Sequence, residues 1–163
     1  MRTVIGVMGG ASARDETERA AYEIGRLIAE QGWVLLNGGR DAGVMAASAK
    51  GASEAGGLVV GVLPAADTEG CSPYLDIAIP TGMGDARNAI NVLASDVVVA
   101  LRGDAGTLSE VALALKSCKT VIALGWMPGP MLARYYDRGL LLDAATPEEA
   151  LALIRRSLPE DHL

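Results

Sequence analysis

Val97-Val98-Val99-Ala100-Leu101-Arg102-Gly103-Asp104-Ala105-Gly106-Thr107-Leu108-Ser109-Glu110-Val111-Ala112-Leu113-Ala114-Leu115 passes from an unbroken apolar run, through a short polar loop, into a segment with Leu108, Val111, Ala112 and Leu115 on one helical stripe. A strand exposed on one face alternates apolar with polar residues, so five consecutive apolar residues read as a strand covered on both faces. Strand, loop and helix in that order form one half of a parallel βα crossover.

The same unit recurs on either side. Thr3 to Met8 reads as a strand, followed by a helix from Glu16 to Gln31 with Ala20, Ile24, Leu27 and Ile28 at helical spacing. Trp33 to Leu36 is a second strand. The helix after it, Ala42 to Ala55, has a small inner face (Val44, Ala47, Ser48, Gly51, Ala52, Ala55) suited to close approach to a sheet. Leu58 to Leu63 is ended by Pro64, and Leu75 to Ile79 is a short strand. From Asp85 to Ala94, the spacing of Ala86, Ala89, Ile90 and Leu93 predicts a helix with that stripe inward. Thr120 to Leu124 and Gly139 to Leu142 are further strands, with Pro128 and Pro130 marking the turn between them, and Pro147 to Ser157 is a last helix. The pattern predicts an α/β fold: a doubly wound, mostly parallel, Rossmann-like sheet in a single domain over residues 1–158, with a frayed tail at 159–163.

Composition agrees and narrows the partners. There is no Phe, and glycine, with 20 residues, is abundant, so the core must be aliphatic and tightly packed. With 14 Lys and Arg against 20 Asp and Glu, the formal charge of −6 is the wrong sign for gripping a nucleic-acid backbone. Any anionic ligand must be held by local devices. No apolar run approaches the roughly 20 residues of a membrane-spanning helix, and the glycine-interrupted start reads as a strand rather than a leader. Cys71 and Cys118 are far apart without metal spacing, which suits buried, reduced thiols and a cytoplasmic location. The lone His162 lies in the tail, which leaves no histidine triad and no metal cluster. Acid–base chemistry falls to carboxylates.

In parallel sheets ligands bind beyond the carboxyl ends of the strands, where the strand order reverses. Four loops qualify, at 6–12, 37–43, 81–87 and 102–107, all rich in glycine. Backbone N–H groups without a shielding Cβ, together with helix starts, close on phosphate oxygens. Neither the dinucleotide fingerprint nor a Walker loop occurs. The candidate ligand-binding residues are Gly9, Gly10, Ser12, Gly38, Gly39, Arg40, Gly43, Met83, Arg87, Gly103, Asp104, Gly106 and Thr107. Arg87 stands out because a cation in a helix's first turn opposes the helix dipole unless an anion answers it. Its plain alternative is an exposed or ion-paired arginine. Glu110 fits two roles: completing a capping box with Thr107, or serving as general acid/base or ribose ligand.

The run Gly38-Gly39-Arg40-Asp41-Ala42-Gly43-Val44-Met45, with Gly106-Thr107-Leu108-Ser109-Glu110, resembles the Rossmann-like superfamily once labelled lysine-decarboxylase-like. Its best-known enzymes are the Lonely-guy nucleoside-monophosphate phosphoribohydrolases. Their P-G-G-x-G-T-x-x-E motif falls on Arg102 to Glu110 and their catalytic arginine on Arg87, a similarity covering most of residues 3–124. A closer likeness, through 81–88 and 105–116, is to the branch containing the molybdenum cofactor carrier proteins. The resemblance implies a phosphorylated small molecule as partner (a nucleotide or the molybdenum cofactor, a pterin phosphate) and a homodimer or larger assembly. In an enzyme, Arg87 and Glu110 would be catalytic.

Three departures stand against hydrolysis: Asn88, Arg102 and Asp104 replace the enzyme motifs' Lys, Pro and second Gly. A carboxylate roughly 5 Å from a phosphate costs on the order of 3 kcal/mol per unit charge at an effective dielectric of 20. Bridging Mg²⁺ or Arg102 would offset that. Carriage, N-glycosidic cleavage and an interaction module with a decayed site all stand as readings of the sequence.

Overall fold

The computed structural model describes residues 1–159. Of the tail expected to fray only Pro159 falls within it, and His162 lies outside the described residues. Seven strands form one sheet in the order β4-β3-β2-β1-β5-β6-β7: β1 Val4–Met8, β2 Val34–Asn37, β3 Leu58–Leu63, β4 Ile77–Pro80, β5 Val97–Leu101, β6 Thr120–Leu124 and β7 Leu141–Ala144. Every pairing is parallel. The expected doubly wound α/β architecture is present, and the sheet is wholly rather than mostly parallel.

Among the described residues six helices cover the sheet: α1 Asp15–Glu30, α2 Gly43–Glu54, α3 Asn88–Ala94, α4 Ala105–Lys116, α5 Ala133–Asp137 and α6 Pro147–Ser157. Successive residues of β5 divide between the two layers. Val97, Val99 and Leu101 pack with α1, α2 and α6, whereas Val98 and Ala100 join Val92 of α3 and Val111, Ala114 and Leu115 of α4. Ile24 and Ile28 of α1 are fully buried, and each such side chain contributes about 1.5–3 kcal/mol. The small face of α2 meets α1 as well as the sheet. A Cβ at Gly25 would overlap the Ser48 carbonyl and one at Gly51 the Tyr22 carbonyl, so both glycines are required for the two backbones to approach this closely.

Three expectations need correction. The segment 85–94 is not one helix: a 3₁₀ turn covers Gly84–Arg87 and α3 begins at Asn88. Its apolar stripe faces outward, with Ile90 and Leu93 exposed, while Arg87, Asn88, Asn91 and Val92 are buried. Apolar periodicity misidentified the inner face because polar residues are drawn inward by partners on α4. Secondly, the proline-marked turn after β6 contains a 3₁₀ turn starting at Pro130 and then α5, which buries Tyr135. Thirdly, the fourth strand starts two residues later than its apolar pattern suggested and ends one later, on Pro80, a residue that an edge strand tolerates.

Strand order reverses between β1 and β5. The loops that follow these two strands face each other across the carboxyl edge of the sheet, where the Gly10 N–H donates to the Arg102 carbonyl at 3.3 Å. A crevice at this position is what the winding of the sheet dictates.

Candidate functional site

The crevice is a cavity of about 180 Å³. From the predicted set, Gly9, Gly10, Gly38, Arg40, Arg87, Asp104, Gly106, Thr107 and Glu110 line it. Ser12, Gly39, Gly43, Met83 and Gly103 do not. Gly43 and Gly103 instead shape its wall, since a Cβ at the first would overlap the Gly10 carbonyl and one at the second the Thr107 hydroxyl. Ser12 and Met83 are exposed outside it. Val7, Met8, Ala11, Met45, Asp85 and Asn88 also line the cavity. Asn88 and Asp85 were legible as neighbours of Arg87 in the 81–87 loop, whereas nothing in the pattern distinguished Met8 and Met45 from ordinary core.

One side of the site is the start of α4. That helix begins at Ala105, with Asp104 as its N-cap, and the Asp104 side chain makes no capping hydrogen bond. The capping box expected of Thr107 and Glu110 is therefore absent: Thr107 is the third helical residue, and Glu110 points across to α3. The first N–H groups of a helix lack intrahelical acceptors and carry its positive end. Here they border the cavity through Gly106 and Thr107. α2 likewise starts without a side-chain cap, although its Val44 N–H is taken by the Gly10 carbonyl at 3.0 Å. The Asp104 carboxylate is exposed at the mouth, where water screens its repulsion of an anion well below the cost set by a bare Coulomb estimate.

The other side is α3. Asn88 Nδ2 donates to Ser109 Oγ at 3.0 Å, and Asn91 Nδ2 donates to Glu110 Oε1 at 3.0 Å. These two bonds tie α3 to α4 and explain why the polar face of α3 turns inward. Between them Arg87 is only 8% exposed, yet its Nε and Nη1 atoms have no hydrogen-bond partner, and among the described residues it pairs with no carboxylate. Both plain alternatives for Arg87, exposed or ion-paired, are thereby excluded. Burial pushes its pKa down and the charges of Glu110 and Asp85 push it back up, while Arg40 lowers it further. A guanidinium stays protonated in proteins, so the cavity holds a fixed positive charge. Burial also raises the pKa of the Glu110 carboxyl, against the opposing pull of Asn91 and Arg87.

A wholly parallel α/β sheet whose strand order reverses beside a buried arginine and a helix N-terminus defines a domain of the Rossmann-like class. The chain belongs to the SLOG cluster 4 family, whose sequence profile matches residues 2–151. Its structure is similar to that of the molybdenum cofactor binding protein from Rippkaea orientalis, with a TM-score of 0.87 and 46% identity over 96% of this chain and 97% of that one. It is equally similar to the molybdenum cofactor carrier protein of Chlamydomonas reinhardtii, with a TM-score of 0.87 and 42% identity over 96% and 98% of the two chains. A more distant likeness is to the cytokinin riboside 5′-monophosphate phosphoribohydrolase of Mycobacterium tuberculosis, 37% identical over 93 residues that make up 56% of this chain and 50% of that protein.

Two predictions follow from the charges. A buried charge without a partner is costly, and apolar replacement of similar volume removes the cost. Arg87→Met is expected to stabilise the unligated protein by about 1 kcal/mol or more, a rise of roughly 2–4 °C in melting temperature for a chain of this size. Calorimetry on ligand-stripped protein checks it; a fall would mean that an unseen partner answers the charge. For Glu110, a raised pKa means that folding favours the protonated form. Its contribution is fully present below the ordinary glutamate range and is lost as pH rises through the raised value. Glu110→Gln keeps the acceptor for Asn91, so its melting temperature relative to wild type should climb as pH goes from about 4 to 8, and a pH-independent difference would contradict the assignment.

Proposed function

We propose that this protein binds a phosphorylated, pterin- or nucleotide-like molecule at the β1/β5 crevice and carries it as cargo, the molybdenum cofactor being the favoured candidate. The observation that carries the reading is the buried Arg87 guanidinium with Nε and Nη1 unpartnered beside the cavity. Donors left unsatisfied in the unligated protein are paid for when an anion accepts from them. In this reading Arg87, the Thr107 hydroxyl and the N–H groups at the start of α4 hold the phosphate, while Gly9 and Gly10 let the backbone approach from the opposite side. The likeness to molybdenum cofactor binding and carrier proteins supports the choice of cargo. Carriage in the cytoplasm by a homodimer or larger assembly accords with it. The outward apolar residues Ile90, Leu93 and Leu108 on α3 and α4 suit contact with a second copy.

A second reading, hydrolysis of the N-glycosidic bond of a nucleoside monophosphate, is favoured by the placement of Arg87 and Glu110 in one cavity. It requires Glu110 to stabilise oxocarbenium-like charge, a task for an ionised carboxylate. Burial raises the pKa of Glu110 while Asn91 and Arg87 oppose the shift, the direction that suits a general acid better than a carboxylate stabilising positive charge.

Mass spectrometry of small molecules released by denaturing freshly purified protein, alongside incubation with AMP, separates the readings. A phosphorylated pterin or nucleotide should be released from wild type and not from Arg87→Ala, for which affinity should fall by about 10- to 100-fold, as expected for loss of charge-assisted hydrogen bonds. Adenine released from AMP by wild type but not by Glu110→Gln would establish the enzyme instead. A wild type that retains no phosphorylated molecule and binds none would end the binding reading.

A further inference from the structure

The wall facing Arg87 is the loop after β2, and it is unusually well fixed. Asn37, fully buried at the end of that strand, donates from Nδ2 to the Met45 carbonyl at 2.9 Å and to Ser48 Oγ at 3.1 Å. Its Oδ1 accepts from the Gly39 N–H at 2.8 Å, so the peptide chain at 37–39 is anchored to α2 on one side and to itself on the other. The two glycines in this loop serve different purposes. Gly39 has φ +74°, a conformation that other residues adopt only with strain. Gly38 does not, and alanine fits its backbone; what excludes a side chain there is occupied space. A Cβ on Gly38 would overlap Nη1 of Arg87 and would lie 2.9 Å from Nη2 and 2.7 Å from Met45 Sδ.

We propose that Gly38 is the seat of the Arg87 guanidinium, a positioning residue for phosphate binding that acts by the absence of its side chain. The inference rests on the proposed binding function and assigns this glycine its part in it. Arg87 has no hydrogen bond to its Nε or Nη1 atoms and no ion pair among the described residues, so nothing of that kind fixes where the charge sits. Close packing over Gly38 fixes it instead. Restraint by shape has a chemical advantage over restraint by hydrogen bonds: it orients the guanidinium without using the donors that the ligand needs. The loop can serve as a seat because Asn37 holds it rigid.

Gly38→Ala tests the proposal cleanly. The atoms it displaces are the ends of two flexible side chains rather than backbone, so the fold and melting temperature should stay close to wild type. Titration with AMP should show an affinity loss of about tenfold or more in the wild-type background and less than about twofold in Arg87→Ala, the non-additivity expected when both changes remove one interaction. Equal losses in the two backgrounds, or undiminished affinity of Gly38→Ala, would overturn it. A readout free of ligand is the ¹Hε–¹⁵Nε NMR correlation of Arg87, identified by its disappearance in Arg87→Lys. It should shift and exchange faster with water in Gly38→Ala, and an unchanged signal refutes the seat. Should wild type bind neither AMP nor inorganic phosphate and release no phosphorylated molecule on denaturation, the functional reading falls while the NMR signal still decides the role of Gly38.

Discussion

A guanidinium cannot lose its charge at any pH that a folded protein survives, and in this structure it is buried with two of its nitrogens unpartnered. Such an arrangement costs several kcal/mol and persists only where the surroundings enforce it. The enforcement is visible. α3 is pinned to α4 by the Asn88–Ser109 and Asn91–Glu110 bonds, α4 is packed through Val111, Ala114 and Leu115 onto β5 and β6, and the loop facing Arg87 is anchored by Asn37. The sheet supplies the rigidity, and the reversal of strand order between β1 and β5 supplies the opening. Fold stability thus offsets the cost of holding a buried guanidinium with two nitrogens unpartnered.

The same constraint bears on how an acidic protein would hold the proposed anionic cargo. A formal charge of −6 offers an anion no long-range attraction. In the proposed binding mode selectivity is local, set within a cavity of about 180 Å³ by one fixed cation, a helix N-terminus and glycines that admit close approach. Glu110, whose pKa burial raises, lines the same cavity and accepts from Asn91 Nδ2 at 3.0 Å.

Much of this was legible in the sequence, and what was not has physical causes. Unbroken apolar runs such as Val97–Leu101 announce doubly covered parallel strands, and the order of strands and helices then leaves few arrangements. The glycine loops and Arg87 were identified from residue type and position. Periodicity failed at α3 because it assumes that apolar residues face the core; there Asn88, Asn91 and Arg87 take the inner face, and Ile90 and Leu93 are left outside. The spacing of Thr107 and Glu110 suggested a cap because it measures distance along the chain, whereas Asn91, 19 residues away from Glu110, is the actual partner. Gly38 was found as a loop glycine, but the reason for it depends on a side chain from a distant segment, which no local pattern encodes.

The central claim is that an anion completes Arg87. A crystal structure of the protein with a bound nucleoside monophosphate or pterin phosphate tests this most directly. The account predicts phosphate oxygens at about 2.7–2.9 Å from the Arg87 guanidinium, the distance of charge-assisted hydrogen bonds, and within reach of the N–H groups at the start of α4. A phosphate bound elsewhere, with Arg87 Nε and Nη1 still unpartnered, would contradict it.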